Sequence, residues 1–364
     1  MYERLEKAFE RGLKGKVESF DVWLREVGFN PSKLQANYLT AFLTQLDVTV
    51  DRESELESIV EYLGYYARVK EGLFHIALFG PMGSGKTHLL TILKSFIERR
   101  EIRLRTLYFN ASTFSEQDED EQRFLKHLES LKSEKPDVLI IDSCEEDRNI
   151  EYSIKEFLKL FRNGVLITAW EPLHWNFFKE KIETIVATSR EIYLKPLSKD
   201  NTELLLSKIT DYASDGKVKL DVKLAEKIHE FTLGIPGSII SLFLRALHEA
   251  FLKQKTSLDI ESVEMAAQTM GLHDMFEKLK SLDELQLMIL RNIILNSDPR
   301  GIRPSQLVEV LNRDKATVSY HLNKFVSERI LHNERFGKFS FYRIKEELRP
   351  FIELRISQES EYLA

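Results

Sequence analysis

Cysteine, proline and glycine are all scarce in this chain of 364 residues, which has 1 cysteine, 9 prolines and 15 glycines. The single cysteine, Cys144, excludes a disulfide within the chain and is typical of a reducing compartment. No uncharged run reaches the roughly 20 apolar residues that span a bilayer. The start, MYERLEKAFERGLKGK, is too charged for the apolar core of a signal peptide. We therefore expect a cytoplasmic protein with no membrane partner.

An overall positive charge is also missing, since the formal net charge is -6. This balance argues against a uniformly basic nucleic-acid-binding protein. The charge is nevertheless uneven: residues 300–345 contain ten Lys or Arg against four Asp or Glu. A second asymmetry, the acidic run EQDEDEQ at residues 116–122, is typical of a solvated loop.

Five short aliphatic segments alternate with amphipathic stretches of helix length. This alternation is typical of a parallel sheet with helices on both faces, so we predict the α/β class. Helical patterns alone follow the last of these segments, and they predict a helical lid on the sheet domain. The predicted strands are residues 74–80, 104–110, 137–142, 164–169 and 191–197.

The stretch GPMGSGKT, residues 80–87, matches the phosphate-loop pattern of two glycines followed by Lys and Ser/Thr. Gly83 and Gly85 allow backbone N–H groups to turn toward one anion, and the following helix adds its partial positive charge. Lys86 would then reach the outer phosphates and Thr87 would bind magnesium. The pattern predicts ATP and Mg²⁺ as ligands, with contacts from Gly80, Pro81, Met82, Gly83, Ser84, Gly85, Lys86, Thr87 and His88.

A carboxylate that would join Thr87 at the metal is predicted at Asp142, where an apolar strand ends at the ligand edge of the sheet. A strand-ending turn residue is the alternative interpretation. One strand, residues 104–110, lies along the chain between the two motif strands. This arrangement resembles the additional-strand branch of nucleotide hydrolases, to which the AAA+ proteins belong.

The AAA+ resemblance implies a glutamate directly after the strand-ending aspartate, but Ser143 stands there. Glu145 is the candidate catalytic base, with Glu146 behind it; both are alternatively surface helix-cap carboxylates. The resemblance also implies that Thr168 senses the γ-phosphate, although a threonine chosen for its β-strand shape is the alternative. A displaced base predicts ATP binding with slow hydrolysis.

Two segments resemble AAA+ initiator ATPases of the archaeal origin-recognition type. Residues 189–209, SREIYLKPLSKDNTELLLSKI, are similar to their junction between sheet and lid, and residues 47–63, DVTVDRESELESIVEYL, to their adenine-side segment. The resemblance implies that Arg190 is a finger reaching a neighbouring subunit's phosphate, and hence a homo-oligomer on ATP binding. A structural ion pair is the alternative for Arg190.

Two departures from the initiator pattern bear on activity. Gly237 occupies the place of the initiators' lid arginine. The Gly-x-Pro step at residues 234–236 is instead similar to the signal-transducing STAND branch, which implies that Pro236 abuts the nucleotide. No room is evident between Asp142 and Gly164 for the initiators' DNA-contacting helical insertion.

Residues 303–344 show the order helix, turn, helix, hairpin, which resembles the winged-helix domains of bacterial and archaeal regulators. Val318, Leu322 and Phe325 are expected to face the core, as are Phe336 and Phe339 in the wing. Small polar and basic residues on the second helix suit the major groove of double-stranded DNA, and cations at the hairpin tip suit phosphate. The predicted DNA contacts are Lys315, Thr317, Ser319, Tyr320, Asn323, Lys324, Arg335 and Lys338.

Together these patterns predict an ATP-controlled DNA-binding switch with an initiator-like role in replication or mobile-element maintenance. A STAND-type transcription regulator is the alternative, and a loader or motor whose winged helix docks on protein is a third possibility. The predicted segments are 1–45 (amino-terminal helices), 46–197 (AAA+ α/β domain), 198–275 (helical lid), 276–350 (winged helix) and 351–364 (tail).

Overall fold

The computed structural model describes residues 19–99, 104–111, 118–296, 298 and 300–362. Residues 1–18 of the predicted amino-terminal segment lie outside this part of the chain. The acidic run begins outside it as well, but from Asp118 the run belongs to a helix rather than to the predicted loop.

The described helices and strands follow one another in the order that the alternating pattern predicts. The strands are β1 (Leu73–Phe79), β2 (Thr106–Asn110), β3 (Val138–Asp142), β4 (Gly164–Trp170), β5 (Thr188–Tyr193), β6 (Leu331–Phe336) and β7 (Phe339–Ile344). The helices before the lid are α1 (Phe20–Glu26), α2 (Ala36–Leu43), α3 (Glu53–Val69), α4 (Lys86–Arg99), α5 (Asp118–Glu134), α6 (Ile150–Leu160) and α7 (Pro172–Glu183). The later helices are α8 (Lys199–Ser214), α9 (Val222–Thr232), α10 (Pro236–Leu252), α11 (Ile260–Thr269), α12 (Met275–Lys280), α13 (Glu284–Leu295), α14 (Pro304–Leu311), α15 (Lys315–Ser327) and α16 (Arg349–Tyr362).

The first five strands form one parallel sheet in the order β2-β3-β4-β1-β5. Every residue of β3 and β4 is buried, as expected for central strands covered on both faces. Strand β4 separates β1 from β3, so the two strands that carry the motifs are not neighbours. Their carboxyl ends still meet one edge of the sheet, which is where ligands bind in such folds.

The fifth strand begins and ends earlier than predicted. It spans Thr188–Tyr193 instead of residues 191–197. The ladder stops because Pro196, which has no N–H group, follows shortly after. The Leu197 N–H then donates to the Gly234 carbonyl oxygen at 2.7 Å, so the end of the predicted strand is tied to the lid instead.

The amino-terminal helices pack against the lid. The Trp23 indole N–H donates to the Lys255 carbonyl oxygen at 2.7 Å, and the Asn30 N–H donates to the Ala213 carbonyl oxygen at 2.7 Å. Trp23, Leu24 and Phe29 share one apolar cluster with the lid helices. The described part of the amino-terminal segment therefore supports the lid and not the sheet.

Helices α14 and α15 and the antiparallel hairpin β6–β7 form an arrangement compatible with a winged helix. Val318, Leu322 and Phe325 are fully buried, as predicted. Phe336 and Phe339 are exposed, however, so the prediction that they form wing core is wrong. They face each other as the last pair of the hairpin, beyond the helices that cover its other end.

Helix α16 crosses the predicted boundary at residue 350. Phe351 and Ile352 are buried, and the helix packs against α7 of the sheet domain and α13 of the carboxyl-terminal region. Residues 351–357 are thus an integral part of the packing. None of the helices in the described ranges is both long and apolar enough to cross a membrane.

Candidate nucleotide-binding site

The phosphate loop connects β1 to α4. Gly83 and Gly85 have φ angles of +77° and +98°, in the left-handed region that glycine adopts without strain. The Ser84 hydroxyl oxygen is buried, yet it finds no hydrogen-bond partner among the described residues. A loop with positive φ at both glycines and an unpaired polar atom fits an anion such as a nucleotide phosphate.

Lys86 lies over this loop at the amino terminus of α4. Its Nζ donates to the Gly80 carbonyl oxygen at 2.7 Å and to the Pro81 carbonyl oxygen at 3.4 Å. The side chain is buried, so the ammonium group is held within the loop rather than in solvent. This places a fixed positive charge where the pattern predicts the outer phosphates.

A cavity of about 1000 Å³ opens in front of the loop. Its walls come from the loop, the lid, the segment before α3, the turn after β3 and the carboxyl-terminal region. The cavity is large enough for a nucleotide, because ligand pockets commonly measure about 300–1,000 Å³. The predicted site residues that line it are Met82, Gly83, Ser84, Gly85, Lys86, Thr87, His88, Glu145 and Pro236.

Asp142 lies behind the cavity wall. Its carboxylate is fully buried at the end of β3 and accepts from the Tyr108 hydroxyl at 2.6 Å and from the Ser143 N–H at 2.9 Å. Burial and this hydrogen bond raise the pKa of Tyr108, which therefore remains a proton donor. Thr87 and Asp142 both offer the oxygen ligands that suit Mg²⁺, with phosphate oxygens and water left to complete the shell.

Glu145 returns to the ligand edge although it is three residues beyond Asp142. Ser143 adopts a left-handed conformation with φ 55°, and a short 3₁₀ turn, Cys144–Glu146, follows. The Glu145 carboxylate consequently lines the cavity and accepts from the Glu171 N–H at 3.2 Å. Burial and the nearby Glu171 carboxylate raise the pKa of Glu145 to about 8, a range that suits a general base near neutral pH. Glu146 is exposed at the rim.

Thr168 does not line the cavity. Its side chain is fully buried in β4, where the hydroxyl accepts from the Trp170 indole N–H at 2.8 Å and lies 2.8 Å from His75 Nε2. Burial lowers the pKa of His75 to about 4, so this imidazole is neutral at physiological pH. The residue of this segment that reaches the cavity is Glu171, directly after the strand.

Arg190 is exposed on β5, the edge strand of the sheet, and does not line the cavity of its own chain. The arginine-finger role stays a prediction.

The lid meets the phosphate loop through backbone. The Gly237 N–H donates to the Gly83 carbonyl oxygen at 2.9 Å. A Cβ atom at Gly237 would lie 3.0 Å from the Gly83 Cα, which is too close without a shift of one backbone. Pro236, the first residue of α10, lines the cavity beside this contact. The close approach explains why no arginine stands at Gly237.

Arg52 lies in the segment that resembles the initiators' adenine-side segment, although no role was predicted for its side chain. Its buried guanidinium donates to the Ser84 carbonyl oxygen at 3.3 Å and to the Lys195 carbonyl oxygen at 2.8 Å. It therefore joins the phosphate loop to the chain that leaves β5. Burial lowers the pKa of this arginine from its usual value, but three nearby carboxylates counteract that effect.

A second unpredicted group consists of Glu171, Arg349 and Glu353. The Arg349 guanidinium binds Glu171 and also donates from Nε to Glu353 at 3.0 Å. Burial would raise the pKa of Glu171, but Arg349 holds it well below its usual value. The position of Glu171 after a predicted strand was a usable signal. No local pattern marks Arg349 and Glu353, which lie almost 180 residues further along the chain.

The predicted DNA-contacting residues lie on α15 and the hairpin, away from the phosphate loop. Lys315, Tyr320 and Asn323 are exposed on α15. Thr317 is partly used as a helix cap, since its hydroxyl donates to Asp314 at 2.6 Å. Arg335 and Lys338 are exposed on the hairpin and form no ion pair with any described residue. Ser319 and Lys324 are half-buried.

Comparison with known sequences finds similarity to one ATPase domain and to one curated relative. Residues 68–167 match the ATPase domain of bacterial DnaA. A Methanocaldococcus jannaschii protein described as an uncharacterized HTH-type transcriptional regulator is 24% identical, over 83% of this chain and 88% of that protein.

Three solved structures share the fold. The Orc1 protein of Aeropyrum pernix, solved in complex with DNA, has a TM-score of 0.53 at 16% identity and covers 91% of this chain and 97% of its own. Cdc6p of Pyrobaculum aerophilum has a TM-score of 0.50 at 17% identity, with 92% and 99% covered. A RuvB variant of Thermotoga maritima has a TM-score of 0.50 at 18% identity, with 84% and 96% covered. With the sheet order and the DnaA match, these confirm that the chain has the AAA+ ATPase fold.

Proposed function

We propose that this chain is an ATP-controlled switch that binds double-stranded DNA, with an initiator-like role in replication or mobile-element maintenance. The observation that carries the proposal is the composition of the cavity wall. One continuous cavity is lined by the phosphate loop and by residues of the carboxyl-terminal region such as Asn296, His332 and Arg349. A nucleotide bound there would contact both the sheet domain and the region that carries the predicted DNA reader.

The nucleotide in this proposal is ATP with Mg²⁺. Lys86 and the loop N–H groups would hold the phosphates, while Thr87 and Asp142 would organise the metal. Glu145 is the group best placed to orient an attacking water, since it lines the cavity near Lys86. Because it stands three positions after Asp142 instead of directly after it, we expect slow hydrolysis.

The DNA partner is supported by exposure, charge and relatives. Residues 300–345 carry an excess of six positive charges, and the cations at the hairpin tip are exposed. One structural neighbour was solved in complex with DNA, and one sequence relative is described as an HTH-type regulator. Neutralisation of about six phosphates would give a slope near -5 for log affinity against log salt concentration.

A transcription regulator is the second candidate, because the description of the M. jannaschii relative favours it. Both candidates use the same switch but differ in their DNA site. An ATP-dependent footprint at a single promoter would favour the regulator. Footprints at repeats near an origin would favour the initiator.

The experiment that tests the switch is a fluorescence-anisotropy titration of the full chain with a labelled mixed-sequence duplex. It is run with and without ATP and Mg²⁺ across a salt series. We expect salt-dependent binding whose affinity changes with ATP. If no DNA binding appears in any nucleotide state, the helix-turn-helix and hairpin would instead be a docking module for protein, and the DNA switch would be refuted.

A further inference from the structure

The first turns of α16 enter the nucleotide site. One carboxylate oxygen of Glu353, Oε2, accepts from the Met82 N–H of the phosphate loop at 3.0 Å. The other oxygen accepts from Arg349 Nε, one helical turn earlier, at 3.0 Å. Glu353 is fully buried, so this is an interior contact between the carboxyl-terminal helix and the loop. We call the pair the Arg349–Glu353 latch.

Further contacts connect the latch to Glu171 and Glu145. Arg349 also binds the carboxylate of Glu171, and the Glu171 N–H donates to Glu145 at 3.2 Å. The chain of contacts thus runs from the phosphate loop through α16 to the candidate base. Burial of Glu353 beside the Glu171 carboxylate raises its pKa, while Arg349 and the Met82 N–H act in the opposite direction.

The contact between Glu353 and Met82 has the chemistry of a phosphate contact. A phosphate loop binds phosphate oxygens through backbone N–H groups, and the Glu353 carboxylate oxygen accepts from one of these. Lys86 Nζ lies against the residues that precede Met82, since it donates to the carbonyl oxygens of Gly80 and Pro81, and the lysine of this motif reaches the β- and γ-phosphates. Glu145, which would have to lie near the γ-phosphate, accepts from the Glu171 N–H, and the Glu171 carboxylate binds Arg349 of the latch. These contacts point to the outermost side of the phosphate site as the position that Glu353 approaches.

We propose that Glu353 occupies the γ-phosphate subsite, so that the Arg349–Glu353 latch discriminates ATP from ADP. This inference rests on the proposed nucleotide site. The Glu353 carboxyl group and a γ-phosphate cannot share one buried position, because both would fill the same space and accept from the same Met82 N–H donor. ATP therefore displaces Glu353 from the loop, whereas ADP leaves the latch in place.

Displacement of the latch has a structural consequence. Helix α16 packs against α7 of the sheet domain and against α13, which belongs to the same region as the predicted DNA reader. Phe351 and Ile352 lie next to Glu353 and fill the adjoining core. Movement of the first turns of α16 consequently changes how the carboxyl-terminal region is seated on the sheet domain. The γ-phosphate is thereby linked to the position of the DNA reader.

The first test compares affinities for two probes, ADP and the non-hydrolysable β,γ-imido analogue of ATP, each with Mg²⁺. In Glu353→Ala, binding of the ATP analogue no longer requires loss of the latch. We expect its affinity to rise up to about tenfold, the effect of one hydrogen bond that no longer has to be broken, with ADP affinity changed by less than about twofold. Glu309→Ala, which removes an exposed carboxylate from α14, is the matched control and should change neither affinity.

Two outcomes of that titration would overturn the latch. Equal changes in both affinities, or none in either, would show that Glu353 does not compete with the γ-phosphate. Failure of the unsubstituted chain to bind both nucleotides would instead refute the proposed nucleotide site itself. Glu353→Gln keeps the side-chain volume and is titrated in parallel in case the alanine variant does not fold.

The second test needs no substitution in α16. Hydrogen exchange of the backbone amides of residues 351–357 is followed in the full chain with each probe. We expect the ATP analogue to accelerate exchange and ADP to leave it unchanged, and neither to act in Lys86→Ala. Equal exchange with both nucleotides bound would contradict the proposal.

Discussion

The phosphate loop and helix α15 present their polar groups in opposite ways. Backbone groups of the loop form hydrogen bonds with other segments of the chain. The Gly237 N–H donates to the Gly83 carbonyl oxygen, and the Glu353 carboxyl group accepts from the Met82 N–H. On α15, Lys315 and Asn323 project into solvent. The loop is therefore a preorganised site in which one substitution removes a large interaction. The α15 surface distributes its interactions over many exposed groups, each of small effect.

The largest effect is expected from Lys86→Ala. It removes the only charged side chain within the loop, and with it charge-assisted contacts to two phosphates. We expect ATP affinity to fall at least about 100-fold, the effect of losing contacts of about 1.5–3 kcal/mol each. The measurement is a titration with a fluorescent ATP analogue. Lys94→Ala, on the exposed side of the same helix, is the control. Unchanged ATP affinity in Lys86→Ala would contradict the claim that one substitution in the loop removes a large interaction.

A substitution at the lid contact tests whether the loop is held by close packing. Gly237→Ala places a Cβ 3.0 Å from the Gly83 Cα, so we expect the free energy of unfolding to fall by about 2 kcal/mol. Calorimetric melting of the full chain measures the change. Gly64→Ala is the matched control, because a Cβ there meets no atom within 4 Å and alanine favours the helix. Equal melting temperatures for the two variants would contradict the packing argument.

Charge reversal at the hairpin tip tests whether DNA binding is shared among many exposed groups of small individual effect. In the double variant Arg335→Glu and Lys338→Glu, we expect DNA affinity to fall about tenfold for all sequences alike and the salt slope to decrease by about 2. Anisotropy titrations on two unrelated duplexes measure both quantities. The control reverses Lys219 and Lys223, exposed lysines of the lid region, with the same change in net charge. A loss confined to one duplex would mean that the pair reads bases.

The smallest expected effect is the change in stability with pH that is due to Glu353. Burial raises the pKa of Glu353 from 4.5 to about 8, with Glu171 adding to it and Arg349, Lys86 and the Met82 N–H opposing it. The folded chain then holds this proton more tightly than the unfolded chain. Its contribution to stability is present below pH 4.5 and is lost as the pH rises toward 8.

Melting temperatures of the chain and of Glu353→Gln across that pH range check the sign. We expect the unsubstituted chain to lose a few degrees more than the variant, corresponding to about 1 kcal/mol. Glu145 and Glu171 titrate in the same cluster and respond to the substitution at Glu353, so the difference reports what Glu353 contributes to the titration of the whole cluster. Parallel curves would show that Glu353 does not titrate differently in the folded chain.

Most of the sheet domain was predictable because its signals are local. The phosphate loop is a contiguous pattern, and β1, β3 and β4 are continuous apolar runs of strand length, so their bounds differ from the predictions by one residue at most. Roles predicted for single residues depend on contacts that a local pattern does not contain. Thr168 lies where a sensing residue was expected, but its hydroxyl is used by Trp170 and His75 inside the sheet. The left-handed turn at Ser143 was not predictable either, and it restores Glu145 to the ligand edge.

Local chemistry along the chain was thus sufficient to specify the α/β class, the phosphate loop and the buried face of α15. Periodicity and short motifs depend only on neighbouring residues, and these features need nothing more. Tertiary packing alone decided that Gly237 contacts Gly83, that Phe336 and Phe339 are exposed, and that Glu353 reaches Met82. Such contacts join residues far apart in the chain, and their energies depend on burial and on partners that no local pattern encodes.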